Sequence, residues 1–167
     1  PDGTAEGRAA RYAAMRDIVD KSFAPFARRI ASYRKARDGI RLLGTSGTVT
    51  TLASLHLELP QYDRRAVDGL IVPSASMRNI STRLSTMSEA ERGTLPCIGD
   101  DRANLVVAGC AILESILDIW PARELAVADR GIREGILRSL IAADAEGERS
   151  RVQLQRSRHD IGEGPSA

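Results

Sequence analysis

The run Ile40-Arg41-Leu42-Leu43-Gly44-Thr45-Ser46-Gly47-Thr48-Val49 constrains this chain more than any other segment. A short apolar stretch stops at a glycine, two hydroxyl residues and a second glycine follow, and a helical pattern begins at once. Strand, tight turn and helix in that order commit the chain to an α/β arrangement. Gly44 lets the backbone turn sharply and lets another group come close. A helix starting near Ser46 leaves its first N–H groups unpaired and pointing into the turn. Together with the positive end of the helix dipole they form a ready anion site, to which Thr45, Ser46 and Thr48 add hydroxyl donors. The same residues also read as a plain capped turn, with Ser46 or Thr45 closing the helix end. No Lys follows the second glycine, and the glycine spacing is not that of the dinucleotide fingerprint, so both of those phosphate loops are excluded.

The rest of the chain continues the alternation. Residues 1–7 read as loose. A helical pattern covers 8–37, with Tyr12, Met15, Val19, Phe23 and Phe26 on one side and Pro25 expected to kink or divide it. Asp38-Gly39 ends it, and Ile40–Leu43 is the buried strand. A helix over about 47–57 is closed by Pro60, and residues 61–69 read as polar loop. A brief apolar run, Leu70-Ile71-Val72, is followed by a helix from Ser74 or Ser76 through about Thr86. Ser88 and Glu91 have capping-box spacing around a short helix. Asp100 or Asp101 is expected to cap one long helix over 102–120, apolar nearly all round and hence central. Leu125-Ala126-Val127-Ala128 is a third short strand. Asp129 precedes the last helix, about 131–143, whose stripe is Ile132, Ile136, Leu137, Leu140 and Ile141. Residues 144–167 are expected to form a flexible polar tail. Three short strands make a poor sheet alone, so further strands are expected from elsewhere.

Composition narrows the function. Aromatics are only 4% of the 167 residues, so the core must be aliphatic. Basic and acidic residues nearly balance, 24 against 22, and no basic run with interleaved aromatics suggests nucleic acid. The bases are almost all arginine, which reads first as genome bias and second as a supply of phosphate-gripping forks. Cys97 and Cys110 have neither CxxC spacing nor paired histidines, so no metal site is expected; a reducing compartment fits. No membrane span or signal region is visible. The chain lacks an initiator methionine and is expected to be a piece of a longer product.

Two strand-to-helix junctions are candidates for one site: Gly44–Thr48, and Asp129-Arg130-Gly131-Ile132-Arg133-Glu134-Gly135. Ligands of open α/β sheets sit beyond the carboxyl ends of the strands, so parallel neighbouring strands would bring both turns to one crevice. Asp129 reads as a helix cap first and a cleft residue second. Gly131 and Gly135 share a helix face, which favours close helix packing over approach to a ligand. Arg102 is either locally paired with Asp100 and Asp101 or free to reach a phosphate. Arg130 and Arg133 have the same two readings. Glu114, in an apolar helix, is either partnered in the core or near a cleft. His56 and His159 receive no role, and no Ser-His-Asp set is present.

Four segments in register resemble the exopolyphosphatase/guanosine pentaphosphate phosphohydrolase family. They are Leu43–Thr48, Leu95–Gly99 followed by Arg102-Ala103-Asn104, Ala108–Leu113, and Asp129–Leu137. The resemblance, over about 8–143, implies the second, carboxyl-terminal lobe of a two-lobed enzyme. That lobe is a partial ribonuclease H-like unit of the fold shared by actin, sugar kinases and heat-shock chaperones, here helix-rich with few short strands. It implies a cytoplasmic hydrolase releasing terminal phosphate from inorganic polyphosphate or guanosine pentaphosphate, with Mg²⁺ and water attacking in line. It also implies Gly44, Thr45, Ser46, Gly47, Thr48 and Arg102 as phosphate contacts, and pairing as a homodimer; Asp129 and Arg130 are the candidate cleft residues of the second junction. The family's catalytic glutamate and glycine-rich loop have no counterpart here. The expectation is therefore a lobe that is inactive alone and completed by an amino-terminal lobe holding the base and the metal ligands. A non-catalytic module that binds alarmones or polyphosphate is the alternative, and a purely packing lobe is the third reading.

Overall fold

The computed structural model describes residues 3–34 and 41–162. Its elements in chain order are α1 (Ala5–Arg34), β1 (Leu42–Gly44), α2 (Gly47–His56), α3 (Arg64–Val67), β2 (Ile71–Pro73), α4 (Ser74–Thr86), α5 (Glu89–Gly93), α6 (Asp100–Ala103), α7 (Val106–Ile119), β3 (Glu124–Val127) and α8 (Ile132–Gly162). The chain divides into two compact units, Pro1–Asp129 and Arg130–Ala167. The expected helix end at Asp38-Gly39, and Ile40 of the expected strand, lie outside the described residues.

In the first unit the three strands form one sheet in the order β1-β3-β2. β1 runs parallel to β3, with Leu42 opposite Leu125 and Gly44 opposite Val127. β2 runs antiparallel along the other side of β3. Leu125, Val127 and Val72 point into the core, while Leu43 and Ile71 stand exposed on the opposite face, both in register with Ala126. α2 and α4 pack against the inner face; α7 packs on α2 and α4, and α1 packs on α7 and α4. The core between them is aliphatic, as a chain so poor in aromatics requires: Leu52, Met77, Leu84, Leu117 and Cys110 are among its fully buried members. Each such large side chain stabilises the fold by about 1.5–3 kcal/mol relative to exposure.

α1 is fastened by charge as well as by packing. Arg16 on α1 donates to the buried Glu114 carboxylate at 2.9 Å and to Asp118 one turn on, and Arg78 from α4 reaches Asp118 at 2.6 Å. Glu114 is thus partnered in the core rather than placed at a cleft. The phenol of buried Tyr12 lies beside it, and burial plus that carboxylate push its pKa up. Near the end of α1, Phe26 meets Trp120 edge-on, with ring centroids 5.5 Å apart.

The structure departs from the sequence expectations at several points. α1 starts at Ala5, inside the expected loose segment, and passes Pro25 undivided. A proline removes a single intrahelical bond, and the Phe26–Trp120 contact holds the turn that follows it. The supposed loop at 61–69 holds α3, capped by the Asp63 side chain on Arg65 N at 2.8 Å. The helix expected over 102–120 is broken between α6 and α7. Arg92, buried on α5, donates from Nε to the Ala103 carbonyl at 2.6 Å, the acceptor an unbroken helix would offer to Val107. The turn tightens instead, Leu105 N bonding Arg102 O at 3.0 Å. Gly99, not Asp100 or Asp101, occupies the N-cap of α6, and the two aspartates sit in its first turn where the dipole favours them. α7 is not buried all round, since Ile112 is exposed.

In the second unit, α8 runs on to Gly162, well past the expected end near Ala143. Residues 144–162 contain no proline and are rich in Arg, Glu and Gln, all good helix formers. Its stripe of Ile132, Ile136, Leu137, Leu140 and Ile141 is exposed. Close packing does not explain Gly135, because a Cβ there would meet open space. No helix among the described residues is long and apolar enough to cross a membrane.

Candidate functional site

The β1–α2 turn is shaped by two close approaches. A Cβ on Gly44 would lie 2.7 and 2.8 Å from the two methyls of Val49, so glycine is needed for strand and helix to meet. Across α2, the Thr48 side chain rests on Gly109 of α7; a Cβ there would come within 2.9 Å of Thr48 Cβ and closer still to its hydroxyl. Ser46 is the N-cap, its hydroxyl accepting from Val49 N at 3.3 Å, and Thr50 N closes the first turn on Ser46 O at 3.1 Å. The capping reading of Ser46 therefore holds. The Gly47 and Thr48 amides precede every intrahelical acceptor and have none within α2. Thr45, Ser46 and Gly47 are exposed.

Arg102 faces this helix mouth. Its Nη1 lies 3.6 Å from where a Gly47 Cβ would stand. The local ion pair with Asp100 or Asp101 does not form: Asp100 turns toward Gly93, and no ion pair of Arg102 occurs among the described residues. Arg102 borders two adjoining cavities. One, of about 350 Å³, is lined by Gly47, Thr50, Tyr62, Cys97, Ile98, Arg102 and Asp129. The other, of about 220 Å³, is lined by Gly47, Thr48, Thr51, Arg102, Leu105 and Val106.

The parallel pairing of β1 and β3 is what brings Asp129 to the same cavity as Gly47, since both turns leave the same end of the sheet. Asp129 is not a helix cap. Its carboxylate receives Arg64 Nε at 2.6 Å, its carbonyl receives Arg64 Nη2 at 3.1 Å, and its amide donates to Asp68 Oδ1 at 3.0 Å. Tyr62 stands beside it, and partial burial and the hydrogen bond to Asp129 push its phenol pKa up to about 12. Cys97 holds φ at 69°, in the left-handed region, at a cost of about 1 kcal/mol.

Of the residues expected to grip phosphate, Gly47, Thr48 and Arg102 line the cavities. Gly44 sits behind them against Val49, Ser46 is engaged as the cap, and Thr45 lines neither cavity. Arg130 opens the second unit and is itself partnered; nearby, the Gly131 amide donates to Glu134 Oε2 at 2.9 Å. Tyr62, Thr50, Arg64 and Asp68 were missed by sequence reasoning. A four-residue helix carries no periodicity, and Arg64 and Asp129 are 65 positions apart; the one available signal was Asp63, a helix-capping residue ahead of two arginines. Among the described residues no group of three or more His, Cys, Asp or Glu could hold a metal ion. Asp129 is already held by Arg64, so the lining residues do not fit a Mg²⁺ site of their own.

Comparisons with known proteins bear on the family and the fold. The profile of the family described as the Ppx/GppA phosphatase family matches residues 7–143. Exopolyphosphatase 2 of Mycobacterium tuberculosis is 29% identical over 102 residues, 59% of this chain and 32% of that protein. The crystal structure of the Aquifex aeolicus Ppx/GppA family member is similar with a TM-score of 0.60 and 28% identity, covering 74% of this chain and 40% of that one. An exopolyphosphatase from Cytophaga hutchinsonii gives a TM-score of 0.68 at 19% identity, over 80% of this chain and 42% of that one, a likeness of fold alone. The chain thus spans about a third of the length of the curated relatives it matches. The fold is the actin-like one of these neighbours, helix-rich with a small three-stranded sheet.

Proposed function

The chain belongs to the Ppx/GppA phosphatase family, and on that premise we propose that it forms the second, phosphate-gripping lobe of a phosphohydrolase. Its substrate is inorganic polyphosphate or guanosine pentaphosphate, from which terminal phosphate is released. One observation carries this reading: the Arg102 guanidinium, with no ion pair among the described residues, stands over Gly47 at the mouth of α2. A guanidinium fork and the free amides of a helix N-terminus are complementary to the same phosphate oxygens. The lobe holds and orients the anion through Arg102 and the Gly47 and Thr48 amides, and neutralises charge that would oppose attack by water. Gly44 and Ser46 keep the loop in shape, and Thr45 belongs to the same turn. The general base and the ligands of Mg²⁺ belong to an amino-terminal lobe, since the cavity residues supply neither; Mg²⁺ bound there would offset phosphate charge. The setting is cytoplasmic, and a homodimer is the expected assembly.

Calorimetry of this chain with inorganic tripolyphosphate tests the binding, and orthophosphate release from polyphosphate with Mg²⁺ tests the division of labour. Binding without release by the chain, with release by a longer product carrying the amino-terminal lobe, is the expected outcome. Binding without release even by that longer product favours the non-catalytic module that senses alarmones or polyphosphate. No binding leaves only a capped turn, and release by this chain alone refutes the assignment of the base elsewhere.

A further inference from the structure

A carboxylate in a cavity meant for phosphate is an obstacle, because like charges repel strongly where solvent is partly excluded. Asp129 lines the same cavity as Arg102 and Gly47. Yet each of its polar groups is engaged from α3 or its C-cap: the carboxylate and the carbonyl by Arg64, and the amide by Asp68. We propose that α3 is an anion-admitting clamp, in which Arg64 is a positioning residue that neutralises Asp129 and fixes it across the cavity from Arg102. The proposal rests on the phosphate-binding reading above and deepens it.

Three features of the geometry support the clamp. The Arg64–Asp129 contact is two-pronged, Nε to the carboxylate and Nη2 to the main chain, so it sets the position of the turn as well as its charge. Asp129 is less than a quarter exposed, so its charge is only partly screened by water. Tyr62, on the segment just before α3, presents a neutral hydroxyl beside the same carboxylate. The Asp129 carboxylate in this cavity lining is thereby ion-paired by Arg64, and its turn is held by the bond to Asp68. A strand-end aspartate that would otherwise turn anions away becomes compatible with them.

The test uses this chain and inorganic tripolyphosphate as the probe, with circular dichroism to confirm folding. Arg64→Ala exposes the Asp129 charge and is expected to weaken binding about tenfold, with a shallower salt dependence because salt screens the added repulsion. Adding Asp129→Asn to that variant restores most of the affinity, which a general loosening of α3 would not allow. Asp129→Asn alone binds at least as tightly as the wild type, because it removes a negative charge from the cavity lining. An independent readout is the Tyr62 phenol, whose late titration, followed by phenolate absorbance and identified with Tyr62→Phe, moves earlier in Asp129→Asn. Wild-type affinity in Arg64→Ala, or a loss there that Asp129→Asn fails to recover, overturns the clamp while leaving the phosphate reading intact. Absence of binding by the wild type overturns the phosphate reading and the clamp together.

Discussion

Replacing Arg92 by methionine separates the packing of this fold from its charges. The guanidinium is buried and donates to three main-chain oxygens: Ala103 at 2.6 Å, Met87 at 2.5 Å and Leu84 at 3.3 Å. It therefore ties the carboxyl end of α4 to the tightened turn after α6, where the helix dipoles favour a cation. Hydrogen bonds from a charged donor contribute roughly 1.5–3 kcal/mol each, and the desolvation of a buried ion offsets several kcal/mol of the sum. Methionine keeps the apolar stem and leaves the three carbonyls without this donor. The net loss is about 3 kcal/mol, the same at pH 6 and pH 8, because arginine does not titrate in that range. For a chain of this size that lowers the Tm by about 6–12 °C. Thermal and urea unfolding measure it, and Arg92→Lys, which keeps the charge but lacks the fork, should fall between. Freed of Arg92, the Ala103 carbonyl can accept from Val107, which joins α6 to α7 and turns Arg102 away, so tripolyphosphate affinity should drop as well. A stability change under about 1 kcal/mol would refute the clamp on the carbonyls and, with it, this account of the helix break.

Other expectations follow from single contacts. Arg102→Gln should weaken tripolyphosphate binding about tenfold in calorimetry, with an almost unchanged Tm, since no ion pair within the described residues is lost. Gly44→Val forces a side chain into the Val49 methyls and should cost about 1–3 kcal/mol in urea unfolding; Val49→Ala should recover much of it. Tyr62 has its folded pKa raised to about 12, so its contribution to stability is complete below its unfolded pKa and fades as pH rises through that value. Tyr62→Phe should accordingly flatten the fall of stability in strong alkali. The buried Cys110 thiol, its pKa pushed up to about 11 by burial, should resist alkylation at neutral pH in the native protein while the partly exposed Cys97 reacts; equal rates would contradict the packing of α7.

Local chemistry was enough to read the β1–α2 turn, α4 and the Ser88–Glu91 capping box. Each depends on residues within a few positions of one another: a glycine that must admit Val49, a serine that caps its own helix, a glutamate that reaches back one turn. The aliphatic core and the three short strands were legible for the same reason, as periodicity and composition are properties of the chain itself. What the sequence could not express was who meets whom across the fold. Arg64 finds Asp129 only because β2, which follows α3, pairs with β3, and Arg102, with no ion pair among the described residues, stands over Gly47 at the helix break where Arg92 holds the Ala103 carbonyl. The Thr48 side chain is taken up against Gly109, 61 positions away on α7. Helix ends and glycine turns are written into neighbouring residues. The identity of a cavity wall is decided by contacts between segments far apart in the chain, and only packing in three dimensions creates those.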